Sequence, residues 1–280
     1  VKLLNNNLVP KFYLGTHHSH WLKLVDLPLF ISRRTLDRVK KLPVALGSWA
    51  LDSGGFTELN LNGKWSISPK SYADEVRRYS EEIGQLDFAS IQDWMCEDFV
   101  LERTGKTIKE HQELTVQSYL DLKSIAPDLP WLPVLQGFSF DDYLRHLEMY
   151  VNKAIDLTKF NRVGIGSICR REGTKEAGKI ISTLTKMYNL NLHGFGFKIN
   201  GLKTVGHLLG SSDSMAWSIN ARRDKPLDGC SHKTCANCMK YALIWREKVL
   251  RILGQANIEN VKQSTIFDLI GKDVYACQNV

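Results

Sequence analysis

The chain has 280 residues, 43% of them hydrophobic and 24% charged, a balance that excludes disordered, collagen-like and low-complexity chains. No apolar run reaches the ~20 residues of a membrane-spanning helix, and the opening stretch VKLLNNNLVPKF lacks a signal-peptide core, so a soluble intracellular (cytoplasmic) protein with no membrane partner is expected. Thirty-seven basic against thirty acidic residues leave a net charge of +7, which suits a polyanion such as nucleic acid and equally suits a merely basic surface.

In chain order, short apolar runs alternate with helical patterns. Strands are expected at 12–16 (FYLGT), 28–32 (PLFIS), 49–53 (WALDS), 88–93 (FASIQD), 131–136 (WLPVLQ), 163–167 (VGIGS), 192–198 (LHGFGFK) and 214–218 (SMAWS). Most lack period-2 alternation, as strands covered on both faces of a parallel sheet do. Ser68-Pro69 can start a helix that Gly84 ends. Ser139 can cap a helix carrying Tyr143, Leu144, Leu147 and Tyr150 on one face, and Thr174 can start another through Ile180, Ile181 and Leu184. A helix at 236–253 closes the compact part. Eight strands with intervening helices predict an α/β (β/α)8 TIM-type barrel with an inserted zinc loop; an open doubly wound sheet is the alternative. The barrel is expected over 1–255, with the zinc loop at 230–238 and a helical tail at 256–280. The connections at 17–27 and 199–213 read as irregular.

A barrel places its reactive groups at the C-terminal ends of its strands. Those positions are Thr16 and His17, Ser32 and Arg33, Asp52, Asp93, Gln136, Ser167 and Lys198. Two carboxylates and an amide at three successive strand ends would converge on one pocket. Asp52 precedes Gly54-Gly55, where backbone can approach a flat ligand, although a plain tight turn explains the glycines equally well. Asp93 is followed by Trp94: a carboxylate accepts N–H groups from a guanine-like edge and an indole stacks on a base, whereas the bland alternative is a helix-start Asp beside a core Trp. Gln136 offers a donor and an acceptor to a base edge. Asp213 precedes small residues and Trp217, and alone reads as a turn or cap.

Cys230, Cys235 and Cys238 give C-x4-C-x2-C with His232 inside, the donor types and close spacing of a closed, structural zinc site. The fourth ligand is His232 or, from the tail, Cys277. Three arginine pairs, Arg33-Arg34, Arg170-Arg171 and Arg222-Arg223, follow strand candidates and would rim the mouth as phosphate contacts unless they are simply solvated. His17, His18 and His20 lack a nearby acid or cysteine and read as substrate contacts or packing rather than a metal cluster.

The succession LDSGGF, QDWM, PVLQG, GIGS, GFGFK, DSMAWS and a zinc loop resembles the tRNA-guanine transglycosylase superfamily. FYLGTHHSHWL, PLFISRR, LDSGGFTEL, QDWMCE, GSICRRE, HGFGFK and DSMAWSINARR resemble more closely its deazapurine DNA modification branch, the DpdA-type transglycosylases of phages and bacteria. The resemblance runs from about residue 11 to 250. It implies exchange of guanine in DNA for a free 7-deazaguanine base, such as preQ0 or a derivative, through a covalent aspartyl–C1′ intermediate, with Zn2+ as a structural ion and helper proteins as optional partners. It matches Asp52 to the general acid/base, Asp93 and Gln136 to the base-reading acid and amide, and Gly166 and Ser167 to a Gly-Gly base contact in which Ser167 replaces a glycine. Trp94, Lys198, Arg170 and Arg171 complete the substrate-binding set. Asp213 matches the nucleophile, while an ungapped alignment to bacterial tRNA enzymes would put Ala216 there. The zinc loop departs from the family's C-x-C-x2-C with a later histidine, since no histidine follows Cys238. Two rival readings are the same exchange on tRNA and a non-catalytic zinc-containing nucleic-acid binder. The oligomeric state is not legible.

Overall fold

The apolar runs form the staves of one parallel sheet nearly closed on itself. A computed structural model describes residues 9–255; the expected tail at 256–280, with Cys277, lies outside the described residues. The strands are β1 (Lys11–Gly15), β2 (Leu29–Ser32), β3 (Trp49–Asp52), β4 (Leu86–Ser90), β5 (Trp131–Leu132), β6 (Val134–Leu135), β7 (Val163–Ile165), β8 (Leu192–Gly194) and β9 (Ser211–Ser214). They pair in the order β5-β4-β3-β2-β1-β9-β8-β7-β6. The two ends of that order are neighbours in sequence, joined by Pro133. Proline has no N–H for a ladder, so it splits the expected strand at 131–136 into two dipeptides, one pairing with β4 and the other with β7. Chain continuity through Pro133 completes the ring, and eight staves with helices outside them make the expected (β/α)8 barrel.

Alternation along the strands separates two cores. Phe12 and Leu14, Leu29 and Ile31, and Trp49 and Leu51 pack outward into the main core under the helices. Tyr13, Phe30, Ala50, Phe88 and Leu132, one from each of β1 to β5, form a separate cluster that fills the barrel. His193 of β8 closes this inner layer, its ring 4.9 Å from Phe88 and 5.6 Å from Phe30. At the N-terminal end of the barrel Asp87 accepts hydrogen bonds from Lys11 Nζ and Tyr13 Oη, with Arg162 Nη1 at 3.4 Å.

Three helices begin where the sequence indicates. The helix Pro69–Ile83 has Ser68 accepting from the Ser71 amide and ends at Gly84. Phe140–Asn152 starts with a capping box between Ser139 and Asp142, and Lys175–Lys186 starts on Thr174. Tyr143, Leu147 and Tyr150 are buried, while Leu144 is only half-buried.

The last strand is a correction. It lies at Ser211–Ser214, not at 214–218, and Ala216–Arg223 is a helix. Three serines and an aspartate have little intrinsic strand preference, but the segment is buried and paired on both sides, with β1 and with β8. The connection at 199–213 is correspondingly more regular than expected, with a helix at Ile199–Val205. The last described helix runs over 239–255 rather than 236–253, because Cys235–Asn237 form a separate 3-10 turn.

Candidate active site

A cavity of about 500 Å³ opens at the C-terminal ends of the strands, where the barrel architecture leads one to look. Asp52, Asp93, Gln136, Gly166, Ser167, Arg170 and Asp213 all line it. The register explains the convergence. Asp52 is the last residue of β3 and pairs with Ser32 of β2, while Asp213 of β9 pairs with Tyr13 of β1. Both side chains therefore point into the ring, above the aromatic layer.

Asp213 is held from two sides. Its Oδ1 accepts from the Gly196 amide at 3.1 Å and lies 3.3 Å from His193 Nε2. His193 is fully buried and bonded through Nδ1 to Ser211 Oγ at 2.9 Å. Burial lowers its pKa, opposed by Asp213, and favours the neutral imidazole. Ala216, the alternative to Asp213, is the first residue of the helix Ala216–Arg223, packs against the core and does not line the cavity. Across the cavity, Asp52 has its pKa raised by burial; the Gly54 amide opposes this, the Asp213 charge adds to it, and the Ser32 hydroxyl opposes it again.

Asp93 and Gln136 form a pair. Gln136 Nε2 donates to Asp93 Oδ2 at 2.5 Å. Burial pushes the Asp93 pKa up to about 7; the Gln136 hydrogen bond works against this, and the charges of Asp52 and Glu97 add to it. The backbone of Gln136 is fixed as tightly as its side chain. Its N–H donates to His146 Nδ1 at 2.7 Å and its carbonyl accepts from Gln112 Nε2 at 2.7 Å. Burial lowers the His146 pKa to about 3, so the imidazole is neutral and can accept. Gly166 has no room for a side chain, since a Cβ there would stand 2.2 Å from Gln136 Nε2. Ser167 has φ +52°, the left-handed region glycine prefers, which fits its reading as a replacement for glycine. Its hydroxyl lies 2.6 Å from Gln136 Oε1 and 2.8 Å from Glu97 Oε2, and accepts from the Cys96 amide at 2.7 Å.

Several expected contacts lie elsewhere. Trp94 does not line this cavity. It packs edge-on against His111, with ring centroids 5.3 Å apart, and borders a separate surface pocket with Trp65. The strand ends at Ser90, where the sequence suggests strand up to Asp93; in the segment that follows, Asp93, Met95 and Glu97 line the cavity and Trp94, between the first two, faces away. Lys198 occupies the N-cap position of the helix Ile199–Val205 without a side-chain capping bond and is exposed, outside the cavity lining.

The arginine pairs are corrected likewise. Arg33 is buried between Glu58 and Glu75, and Arg34 bonds Glu58 at 2.8 Å, so both serve internal ion pairs. Arg171 donates to the Phe138 carbonyl, lies over the Phe138 ring and reaches Glu176 at 3.2 Å. Arg222 and Arg223 end a helix rather than follow a strand, and are exposed. Arg170 alone of the six lines the cavity, its guanidinium 4.7 Å from the Phe99 ring centroid and 5.6 Å from that of Phe56.

Four residues at or beside the cavity carry no motif that marks them. Phe56 and Met215 line the cavity and are 45% and 40% exposed, which gives a rim two apolar faces for flat groups. Glu97 and His193 lie beside more conspicuous residues. In IQDWMCED the sequence points to the tryptophan as the partner of Asp93, but the segment after β4 brings Glu97 round to Ser167. His193 was hidden inside an apolar strand.

The ligand atoms of Cys230, His232, Cys235 and Cys238 lie within 4.8 Å of one another. Zinc–sulfur bonds of ~2.3 Å would place tetrahedral ligand atoms roughly 4 Å apart, so this group could hold a metal ion such as zinc with little rearrangement. The Leu227 amide donates to Cys235 Sγ at 3.3 Å, the outer support usual for a thiolate ligand. The loop also braces the mouth. Ser218 Oγ donates to the Ala236 carbonyl at 2.8 Å, and Asn237 Oδ1 lies 2.9 Å from Nε2 of the cavity-lining His17.

A family model described as DpdA, deoxypurine in DNA protein A, matches residues 8–279. No curated protein matches the chain.

Proposed function

The chain belongs to the DpdA family of DNA-modifying transglycosylases, and on that premise we propose that it exchanges guanine in DNA for a 7-deazaguanine through a covalent intermediate on Asp213. The observation that carries the reading is the convergence of Asp52, Asp93, Gln136 and Asp213 on one cavity. A base-exchange site needs a nucleophile, a proton manager and a base reader, and a binding module needs no such set.

The target nucleotide must leave the stack to reach a cavity inside a barrel mouth, since its C1′ is shielded in duplex. Asp93 then accepts the N1 and N2 hydrogens of guanine, and Gln136 reads the neighbouring oxygen. Asp213, anchored through one oxygen, attacks C1′. The bond from C1′ to N9 breaks, its electron pair leaves with guanine, and Asp52 supplies the proton the departing base takes up. The raised pKa of Asp52 favours the protonated form this step needs. A 7-deazaguanine then enters, gives its N9 proton to Asp52 and attacks C1′ from the original face. The two inversions restore the β-anomer. One glycosidic bond replaces another, so the exchange needs no net energy input. Arg170, with Phe56 and Phe99, is positioned to meet a phosphate and a stacked neighbour of the extruded nucleotide.

Zinc held by Cys230, His232, Cys235 and Cys238 would cross-link the loop that braces the helix Ala216–Arg223 and His17, a structural part with no share in the proton chemistry. The test is exchange of labelled guanine into duplex or single-stranded DNA and into tRNA at matched salt. Incorporation into DNA with tRNA inert supports the reading. Incorporation into tRNA alone restores the tRNA alternative, and none into either leaves a nucleic-acid binder.

A further inference from the structure

Glu97 has no role in the exchange as described, yet its carboxylate lines the same cavity. It is the N-cap residue of the helix Asp98–Thr104, a position where acceptor side chains usually bond the first-turn amides. Its side chain makes no such bond and meets Ser167 instead, at 2.8 Å. There the protons run short. The Ser167 hydroxyl has one proton and two acceptors beside it, Gln136 Oε1 and Glu97 Oε2, while its own oxygen already accepts from Cys96. One of the two acceptors lacks a donor. No lysine, arginine or histidine among the described residues forms an ion pair with Glu97.

The order of groups along the wall is Asp93, Gln136, Ser167, Glu97, each bonded to the next. The edge of a guanine-type base presents, in order, the 2-amino group, N1–H, the 6-oxygen and position 7. With Asp93 on the first two and Gln136 and Ser167 at the oxygen, Glu97 falls at the substituent on position 7. Among the described residues the cavity is acidic as a whole, its lining holding Asp52, Asp93, Glu97 and Asp213 against the one arginine, Arg170. We propose that Glu97 selects the incoming base, taking a 7-deazaguanine whose 7-substituent donates hydrogen bonds, a primary amine or amidine, over one bearing an acceptor nitrile. A donor there supplies the missing proton and, if cationic, a counter-charge. Guanine itself, with N7 and no substituent, makes no contact with Glu97, which helps it leave.

The inference rests on the exchange reading, and the experiment separates the two. DNA preloaded with labelled guanine is incubated with the full chain and one of three free bases, 7-aminomethyl-, 7-cyano- or unsubstituted 7-deazaguanine, and label release is followed. The aminomethyl base is expected to have a KM about ten-fold or more below that of the nitrile, the worth of one charge-assisted hydrogen bond. In Glu97→Gln that ratio should collapse toward one, chiefly through the KM of the aminomethyl base. Direct binding of the three bases, measured calorimetrically on both proteins, should give the same ranking and guards against a variant that folds but reacts poorly. Guanine exchange with equal or reversed preference in the wild-type chain, or a preference that survives in Glu97→Gln, overturns the role of Glu97 and leaves the exchange reading standing. No release with any base, guanine included, removes the reading and the inference together.

Discussion

At the N-terminal end of the barrel Asp87 sits among Lys11, Tyr13 and Arg162; at the C-terminal end Asp52, Asp93, Glu97 and Asp213 share a cavity that, among the described residues, one arginine lines. Burial alone would raise the Asp87 pKa, but the hydrogen bonds from Lys11 and Tyr13 and the Arg162 charge outweigh it and hold the carboxyl below its usual range. At the other end burial wins, and Asp52 and Asp93 are both raised. The same sheet thus contains carboxylates whose charge is compensated and others left to a ligand. The first kind favours folding. The second costs stability, a cost that proteins tolerate at functional sites.

The difference can be broken at either end. The largest effect belongs to the mouth: Asp213→Asn should cut exchange by about a thousand-fold or more, since an amide is no carboxylate nucleophile, while circular dichroism and melting temperature stay near wild type. Asp87→Asn should do the opposite, lowering unfolding free energy by about 1–3 kcal/mol for a half-buried charged network with exchange per folded molecule retained; urea titration beside activity checks it.

Two further outcomes sharpen the contrast. The folded chain holds a proton on Asp93 up to about pH 7, whereas an unfolded aspartate loses it near pH ~4. The native state therefore binds more protons in that window, and its stability should fall as pH rises through it and level off above about 7. Asp87 has the other sign: its stabilisation is present above the unfolded pKa and lost as pH falls through its lowered folded value. Melting curves from pH 5 to 8 should show the decline in wild type and a shallower one in Asp93→Asn. The metal loop should behave like the Asp87 end of the barrel. Cys235→Ser should lose about one equivalent of bound zinc and several degrees of melting temperature, and a metal-replete, fully stable His232→Ala would move the fourth ligand elsewhere.

The smallest effect concerns the rim. Arg170→Ala should weaken DNA binding a few-fold and reduce its salt slope by about one phosphate contact, leaving guanine preference unchanged. Arg171→Ala should act on stability instead, because Arg171 is committed to Phe138 and Glu176.

The barrel was legible because its staves are apolar and its helix starts carry caps such as Ser68, Ser139 and Thr174. Asp52, Asp93 and Gln136 were legible because strand ends define a mouth. What escaped did so for physical reasons. The serine-rich β9 is a strand by its partners rather than its composition, so the apolar pattern places it three residues late. After β4 the cavity is lined by Asp93, Met95 and Glu97, so Trp94, next to Asp93, faces away while Glu97, four residues on, faces in. The charge of an arginine says nothing of its partner, and Glu58, hidden in a helix after DSGGF, took two of the six.

The account turns on Asp213 as the carboxylate that holds the sugar. The most direct measurement is mass spectrometry of the protein–DNA adduct trapped by denaturation when no incoming base is supplied. The account predicts a deoxyribose linked through C1′ to Asp213, absent in Asp213→Asn and discharged by adding a 7-deazaguanine. An adduct on Asp52, or one that persists in Asp213→Asn, would contradict it.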